Sequence, residues 1–265
     1  MQEAWGRKDS QYPNEETIID FRLRNLILLG YVLATIVVAF SLGPISQDLA
    51  YHRFADQRTM LGLPNALNVL SNIPFLIVGL LGMKAVQHDR LQDNRFAWLV
   101  FFAGVALVSV GSAWYHWLPS NRSLVWDRLP MTIGFMGLLV ALCREYLPGK
   151  RIGKALLPAV LIGIASVLYW QQTDDLRFYL WVQFMPLGLI LLLLCFYPPR
   201  YSHGYLLGVA LAAYALAKVT EYYDANFMQG LNNLLSGHSI KHLLAAGGCY
   251  SLLLYLQRRR SLLLA

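Results

Sequence analysis

Charged side chains are scarce in this sequence of 265 residues. Asp, Glu, Lys and Arg make up 14% of it, whereas hydrophobic residues make up 57%. A soluble domain carries about 25% charged residues and hides its apolar side chains in one core. The mean hydropathy of +0.44 indicates more apolar surface than one such core can bury. The composition therefore excludes an ordinary soluble enzyme and favours a membrane protein.

Cysteine is also rare, and the sequence has few signs of a boundary between domains. Cys143, Cys195 and Cys249 lie in apolar segments and form no CxxC pair. A disulfide framework or a cysteine-ligated zinc site is therefore not expected. The sequence contains no low-complexity tract or convincing internal repeat that would separate a second, soluble domain.

Long apolar runs dominate instead. Runs of roughly 17 to 22 residues recur along the chain, and each can cross a hydrocarbon layer about 30 Å thick. The sequence thus predicts an all-α fold, a polytopic transmembrane helical bundle of about eight helices, with one N-terminal helix before a seven-helix core. The predicted spans are 25–43, 66–83, 96–117, 129–146, 155–170, 178–197, 205–222 and 238–257.

The basic residues alternate between the connections on the two sides of the membrane. Of the 22 Lys and Arg residues, fifteen fall in one set of connections and five in the other, and Lys218 and Lys241 lie within spans. The positive-inside rule places both termini in the cytoplasm, with segment 1–24 before the bundle (25–257) and a basic tail at 258–265. The net charge of +7 thus reflects orientation in the membrane, and no nucleic-acid partner is expected.

Several polar residues fall inside or beside the predicted spans. Ser112 and His116 lie one turn apart near the end of the third span, and Asp127 precedes the fourth. His238 and His242 share one face at the start of the eighth. The topology rests on Lys and Arg alone, yet it brings all five residues near the outer leaflet. Polar residues at such depths are costly and typical of functional sites.

Three histidines with one open position describe a catalytic zinc site. Such a metal lowers the pKa of its water toward about 7 and polarises a substrate carbonyl. In that scheme His116, His238 and His242 bind the metal. Asp127 transfers protons, and Ser112 stabilises the oxyanion.

Each of these residues also has a structural interpretation. A lone H-x-x-x-H pair is more often a pair of hydrogen-bonded histidines within a bundle. Ser112 alone is typical of helix packing, and Asp127 alone of a helix N-cap. Asn68 and Asn72 are expected to form interhelical hydrogen bonds. Three side chains of the outer connection could bind a cation, but solvated side chains are the expectation there, namely at Asp48, His52 and Asp56.

Three motifs resemble those of the alkaline ceramidase family, whose superfamily includes adiponectin-receptor-like proteins. Residues 68–72 (NVLSN) resemble the family's N-x-x-S-N. Residues 111–116 and 127–131 (DRLPM) resemble its G-S-x-x-x-H followed by D-x-L-P-M. Residues 238–242, continuing to Gly247, resemble its closing H-x-x-x-H. Order and spacing agree over a ceramidase-like core at 65–257.

The resemblance implies zinc on the three histidines, with Asp127 and Ser112 catalytic. It also implies that a lipid amide from the bilayer, such as ceramide, is cleaved to a sphingoid base and a fatty acid. The family's acidic and aromatic calcium-binding segment has no clear counterpart. Asp48 and Asp56 stand roughly at its place without the pattern, so a bound Ca²⁺ is not expected.

Two other function classes remain open at this stage. A receptor or sensor of the same superfamily would keep the metal for structure and show no turnover. A transporter or an electron-transfer protein would show discontinuous helices near the midplane or facing histidine pairs, respectively. The sequence does not specify an oligomeric state.

Overall fold

The protein is a bundle of α-helices. In the computed structural model, residues 15–89 and 94–262 are described, and they form no β-strand. The predicted all-α fold class is therefore confirmed, although residues 1–14 of the predicted N-terminal segment and 263–265 of the tail lie outside the described ranges. The helices are α1 Glu15–Ser41, α2 Ala66–Leu70, α3 Ile73–His88, α4 Arg95–Trp117, α5 Asn121–Tyr146, α6 Leu156–Thr173, α7 Arg177–Phe196, α8 Tyr205–Tyr222, α9 Asp224–Gly230 and α10 Gly237–Arg258.

Six stretches of the described chain are long and apolar enough to cross a membrane, the last of them ending with α7. This is a multi-pass membrane protein. Each of the eight predicted spans corresponds to helical structure, but α8 and α10 are not among the six. Their 18 and 22 residues would extend about 27 and 33 Å at 1.5 Å per residue. Their charged and imidazole side chains lower the mean hydropathy.

The second predicted span is interrupted. A single helix was expected over 66–83, but α2 ends at Leu70 and α3 begins at Ile73. Pro74, at the start of α3, has no backbone N–H to donate to the preceding turn, so it favours a new helix start. The break leaves Ser71 between the two helices.

Helix α5 begins earlier than expected. The predicted start was residue 129, whereas α5 begins at Asn121 with Ser120 as its N-cap, accepting a bond from the Ser123 N–H. Interpreting Asp127 as a helix cap is therefore wrong. Asp127 lies in the second turn of α5 and is buried.

Helices α4 and α5 form the centre of the bundle and pack at very short range. A Cβ placed on Gly104 would lie 2.7 Å from the backbone nitrogen of Gly134. A Cβ on Gly111 would lie 1.9 Å from the carbonyl oxygen of Trp126. Glycine is required at both points because the two backbones approach so closely. This contact fixes the depth of the residues beside Gly111, including Ser112.

Helix α1 lies at the edge of the bundle against α7. The Tyr31 hydroxyl donates to the carbonyl of Met185 at 3.2 Å, and the Trp181 indole donates to Thr35 at 3.2 Å. Most side chains of α1 face outward. The additional N-terminal helix thus flanks the core without entering it.

A buried ionic cluster closes the end of the bundle that lacks the predicted site residues. Glu145 accepts hydrogen bonds from the Trp98 indole at 2.9 Å and the Tyr255 hydroxyl at 2.7 Å, and it pairs with Arg259. Arg259 also reaches Asp89. Removal of one partner would leave a buried charge, so this cluster fixes the end of α10.

Candidate active site

Three buried histidines meet at the opposite end, which we call the site end. His116 comes from the last turn of α4, and His238 and His242 come from the first turns of α10. One nitrogen from each imidazole lies within 4.8 Å of the others. This group is able to hold a metal ion.

Ser71 orients the imidazole of His242. The Ser71 hydroxyl donates to the carbonyl of Asn68 at 3.0 Å and lies 2.7 Å from Nδ1 of His242. Because its proton is used on Asn68, the Ser71 oxygen accepts from an Nδ1–H, which leaves a lone pair on Nε2. Metal-binding histidines commonly hold their second nitrogen this way.

The Nε2 atoms of His116 and His238 have a spacing that is compatible with ligands of one zinc ion. Nε2 of His116 and Nε2 of His238 are 3.3 Å apart, and two ligands at the Zn–N distance of 2.0–2.1 Å in a tetrahedron would be about 3.3 Å apart. Nε2 of His242 is buried and has no hydrogen-bond partner among the described residues. An unpaired buried nitrogen is costly, and a cation shared by the three imidazoles would satisfy it.

The connection between α1 and α2 covers the histidines. The ring of Phe54 lies 4.7 Å from that of His116 and 5.0 Å from that of His238. The Asp224 carboxylate accepts from the backbone N–H groups of Ala55 at 2.9 Å and His238 at 2.7 Å. The Asp224 side chain therefore joins the connection that covers the histidines to the start of α10.

Two asparagines near the start of α2 bind neighbouring elements. Asn68 donates to the carbonyl of Asp56 at 3.1 Å and accepts from the Ser239 hydroxyl at 2.8 Å. Asn65 donates to the carbonyl of His116 at 2.9 Å. The expected hydrogen bonds between elements are thus present at Asn68, whereas Asn72 donates within its own segment.

Asp127 and Ser112 line a cavity that one of the three histidines also lines. The Asp127 carboxylate interacts with the Ser112 hydroxyl across the α4–α5 contact, which the approach at Gly111 makes possible. Both residues line the same cavity as His242. The structure thus places Ser112, Asp127 and His242 on one cavity and brings His242 together with His116 and His238.

The cavity has a volume of about 300 Å³ and is amphipathic. Below Ser112, the side chains of α4 that line it are Val108, Val105 and Phe101. They follow one another over about 10.5 Å of helix at 1.5 Å per residue. The cavity therefore has an apolar end that suits a hydrocarbon chain. Other apolar lining residues include Phe75, Met131, Phe135, Phe184 and Ala245.

Charged residues that the sequence motifs did not indicate as site residues line the other end of the cavity. Lys241 donates to Glu221 at 2.8 Å and lies 3.2 Å from Nε2 of His238. Lys218 also pairs with Glu221, three residues away in the same helix. Arg128, inside the D-x-L-P-M motif, also lines this end. The position of Lys218 and Lys241 in spans indicated a polar environment, but the sequence did not show that they share one cavity with Arg128.

The polar residues of the outer connection are less solvated than expected. His52 lies 3.0 Å from the Tyr115 hydroxyl and 2.9 Å from Oδ1 of Asn121. Asp56 is buried and pairs with Arg58 at 2.6 Å, and this guanidinium lowers the pKa of Asp56. Asp48 caps a short 3₁₀ turn, Leu49–His52. A solvated loop is therefore wrong for His52 and Asp56.

A family model described as Ceramidase matches residues 63–198, which are 136 of the 265 residues. The chain belongs to the ceramidase family. The resemblance to alkaline ceramidases is thereby confirmed, and the matched stretch contains Ser112, His116 and Asp127. His238 and His242 lie beyond it. A search of curated proteins gave no match for this chain.

Proposed function

We propose that this ceramidase-family chain is a zinc-dependent membrane hydrolase that cleaves the amide bond of a lipid. The observation that carries the proposal is the buried group of His116, His238 and His242, whose ring nitrogens converge beside a cavity lined by Asp127 and Ser112. A protein that only packed histidines in its core would not need a carboxylate and a hydroxyl on the adjoining cavity wall.

The three histidines would hold the ion through nitrogens that include Nε2 of His242, which Ser71 leaves free. A zinc ion bound there supplies Lewis acidity and makes water a nucleophile at neutral pH. The residues of the chain would then position and move protons. Hydrolysis adds water across the C–N bond of the amide and releases a fatty acid and an amine, such as a sphingoid base.

Asp127 is the proposed proton carrier. Its carboxylate would take a proton from the attacking water and deliver it to the nitrogen as the C–N bond breaks. Ser112 would donate a hydrogen bond to the oxygen that becomes negative. The apolar end of the cavity would hold the acyl chain while the amide lies at the histidines.

We also propose that both termini lie in the cytoplasm and that the site end faces the outer leaflet. The excess of Lys and Arg in one set of connections supports this orientation. A fluorescent protein fused to the C-terminus tests it, because it would fluoresce if the terminus is cytoplasmic. A dark, fully translocated fusion would contradict this orientation.

The Asp127→Asn variant tests whether the protein is an enzyme or a receptor or sensor that keeps the metal for structure. We expect the variant to retain zinc and to lose about 10² to 10⁴-fold in turnover of ceramide, the range for a general acid or base. Zinc content and fatty-acid release would be measured on the same purified sample.

Asp48→Asn is the matched control, since Asn caps a turn as well as Asp does and Asp48 is exposed. Full turnover by Asp127→Asn would overturn the assigned role. Zinc without turnover in the wild type, across a panel of lipid amides, would favour the receptor.

A further inference from the structure

The charged end of the cavity has more cations than carboxylates. Arg128, Lys218 and Lys241 line the cavity together with Asp127 and Glu221. Three cations thus accompany two carboxylates, before any metal is counted. In a low-dielectric site an excess positive charge favours an anionic ligand.

The two lysines share the carboxylate of Glu221. Lys241 donates to Glu221 at 2.8 Å, Lys218 pairs with it, and the Tyr51 hydroxyl donates to it at 3.1 Å. The charge of Glu221 is therefore shared among groups other than Arg128. Two lysines share this one carboxylate, so Glu221 does not neutralise the excess positive charge of the cavity.

Arg128 is held rigidly and lacks a full set of acceptors. Its guanidinium lies 4.0 Å from the ring of Trp170 and 4.5 Å from that of Tyr179, and Nη2 donates to Oε1 of Gln47 at 2.6 Å. The residue is only 6% exposed. Its Nη1 has no hydrogen-bond partner among the described residues. A buried guanidinium with a free N–H group, fixed by aromatic rings at a cavity wall, is suited to bind a carboxylate or phosphate.

Lys241 connects the charged end of the cavity to the histidines. Lys241 precedes His242 in the chain, and its Nζ lies 3.2 Å from Nε2 of His238. The charged end therefore adjoins the place proposed for the amide, and the acyl chain would occupy the apolar end. An anion bound here would belong to the amine side of the lipid.

We propose that the preferred substrate is an N-acyl lipid with a carboxylate or phosphate close to its amide, bound by Arg128 with help from Lys218 and Lys241. This inference rests on the proposed function and narrows it from lipid amides in general to anionic ones. A neutral ceramide would leave the Nη1 group of Arg128 without an anion.

Matched pairs of substrates test the proposal. N-oleoylglycine and N-oleoylethanolamine differ by a carboxylate in place of a hydroxymethyl group, and ceramide 1-phosphate and ceramide differ by a phosphate. Turnover would be measured in phosphatidylcholine vesicles as kcat/KM. We expect at least one anionic member to exceed its neutral partner by about tenfold or more, the usual effect of a hydrogen bond to a charged group.

Two substitutions should change the ratio of kcat/KM for the anionic substrate to kcat/KM for its neutral partner in opposite directions. Arg128→Gln should lower the ratio to near one, and Glu221→Gln should raise it, because it removes a negative charge from the cavity. Arg128→Lys keeps the charge and should keep part of the preference. Arg122→Gln is the control, since Arg122 is exposed in the first turn of α5. A purely structural role of Arg128 would lower both activities and leave the ratio unchanged.

The outcomes separate the two proposals. Equal turnover of both members in both pairs would overturn the anionic preference and leave the hydrolase standing. Equal stimulation of both members by phosphatidylglycerol vesicles, with no change in the ratio, would assign the charge to a bilayer lipid instead. If no lipid amide is cleaved, the proposed function fails. Binding of N-oleoylglycine then decides the anion site, with at least about tenfold weaker binding expected for Arg128→Gln.

Discussion

His242 illustrates how single residues define the site. Its two ring nitrogens have different surroundings, because Nδ1 faces the Ser71 hydroxyl at 2.7 Å and Nε2 has no partner among the described residues. That asymmetry selects one tautomer and leaves a lone pair on the nitrogen that faces the other histidines. Ser71 thus prepares the ring to bind a metal ion without being a ligand itself.

Ser71→Ala should weaken zinc binding by about 10 to 100-fold, the usual effect of removing a group that orients a metal ligand. The measurement is zinc affinity by competition with a chelator on the purified protein. Ser166→Ala is the control, since Ser166 is also buried but donates to Gly163 in its own helix. Equal affinities of Ser71→Ala and wild type would contradict the proposed tautomer.

The sequence predicted which residues belong to the site better than it predicted the contacts that these residues make. Five residues could be selected because each is polar and lies at the same predicted depth in the membrane. They are His116, His238, His242, Asp127 and Ser112. The bond from Ser71 to His242 could not be predicted, because depth along a helix says nothing about rotation around its axis. Arg128 was not selectable for another reason: the fourth span was predicted to begin at residue 129, whereas α5 begins at Asn121.

At the level of helices, the close contact of α4 with α5 determines the geometry of the site. Gly111 allows the α4 backbone to touch the carbonyl of Trp126, and the next residue along each helix, Ser112 and Asp127, then meets the other. The glycine of the G-S-x-x-x-H motif is thus explained by packing, whereas its serine and histidine are explained by the site.

Gly111→Ala should push the two helices apart. Its Cβ would lie 1.9 Å from a backbone oxygen that cannot move alone, so we expect a loss of about 1–3 kcal/mol or more in unfolding free energy, with reduced turnover. Thermal unfolding in detergent and lipid-amide hydrolysis would both be measured.

The control for this substitution is Gly247→Ala, because a Cβ there would meet no heavy atom within 4 Å. Added helix propensity should leave that variant equal to wild type or slightly more stable. Equal stability of the two variants would refute the packing explanation.

The connection before α7 responds to pH through Asp175. The Arg177 guanidinium, 2.7 Å away, holds the pKa of Asp175 at about 2, below its ordinary value near 3.9. The folded state therefore gains stability from the ionised carboxylate above about pH 5, and this gain is lost as pH falls toward 2.

Asp175→Asn should lower the melting temperature at pH 6, and the difference from wild type should shrink as pH is lowered to 3. Thermal unfolding of both proteins across this range measures it, with Asp48→Asn as a control. A difference that stays constant with pH would contradict the assigned stabilisation.

For the whole molecule, the pattern of Lys and Arg predicted which helix ends lie together. The site residues come from helix ends that are far apart in sequence, at α4, α5 and α10, and the described structure places them at one end of the bundle. Hydropathy was sufficient for this because a membrane fixes the direction of each helix. The apolar runs also predicted α8 and α10, although their polar residues keep both helices out of the six most apolar spans of the described chain.

The break between α2 and α3 shows the limit of the same signal. Hydropathy averages over a window longer than the two residues at the break, so it predicted one continuous span. Ser71 and the asparagines around it owe their positions to that break. The whole bundle is predictable from composition, but the irregular backbone at its site is not.

The most direct test of the account is the joint measurement of zinc content and lipid-amide hydrolysis on purified wild type and His238→Ala. The account predicts about one zinc per wild-type chain, with release of fatty acid, and loss of both in the variant. Absence of zinc from a wild-type protein that still hydrolyses lipid amides, or full activity of the variant, would contradict it.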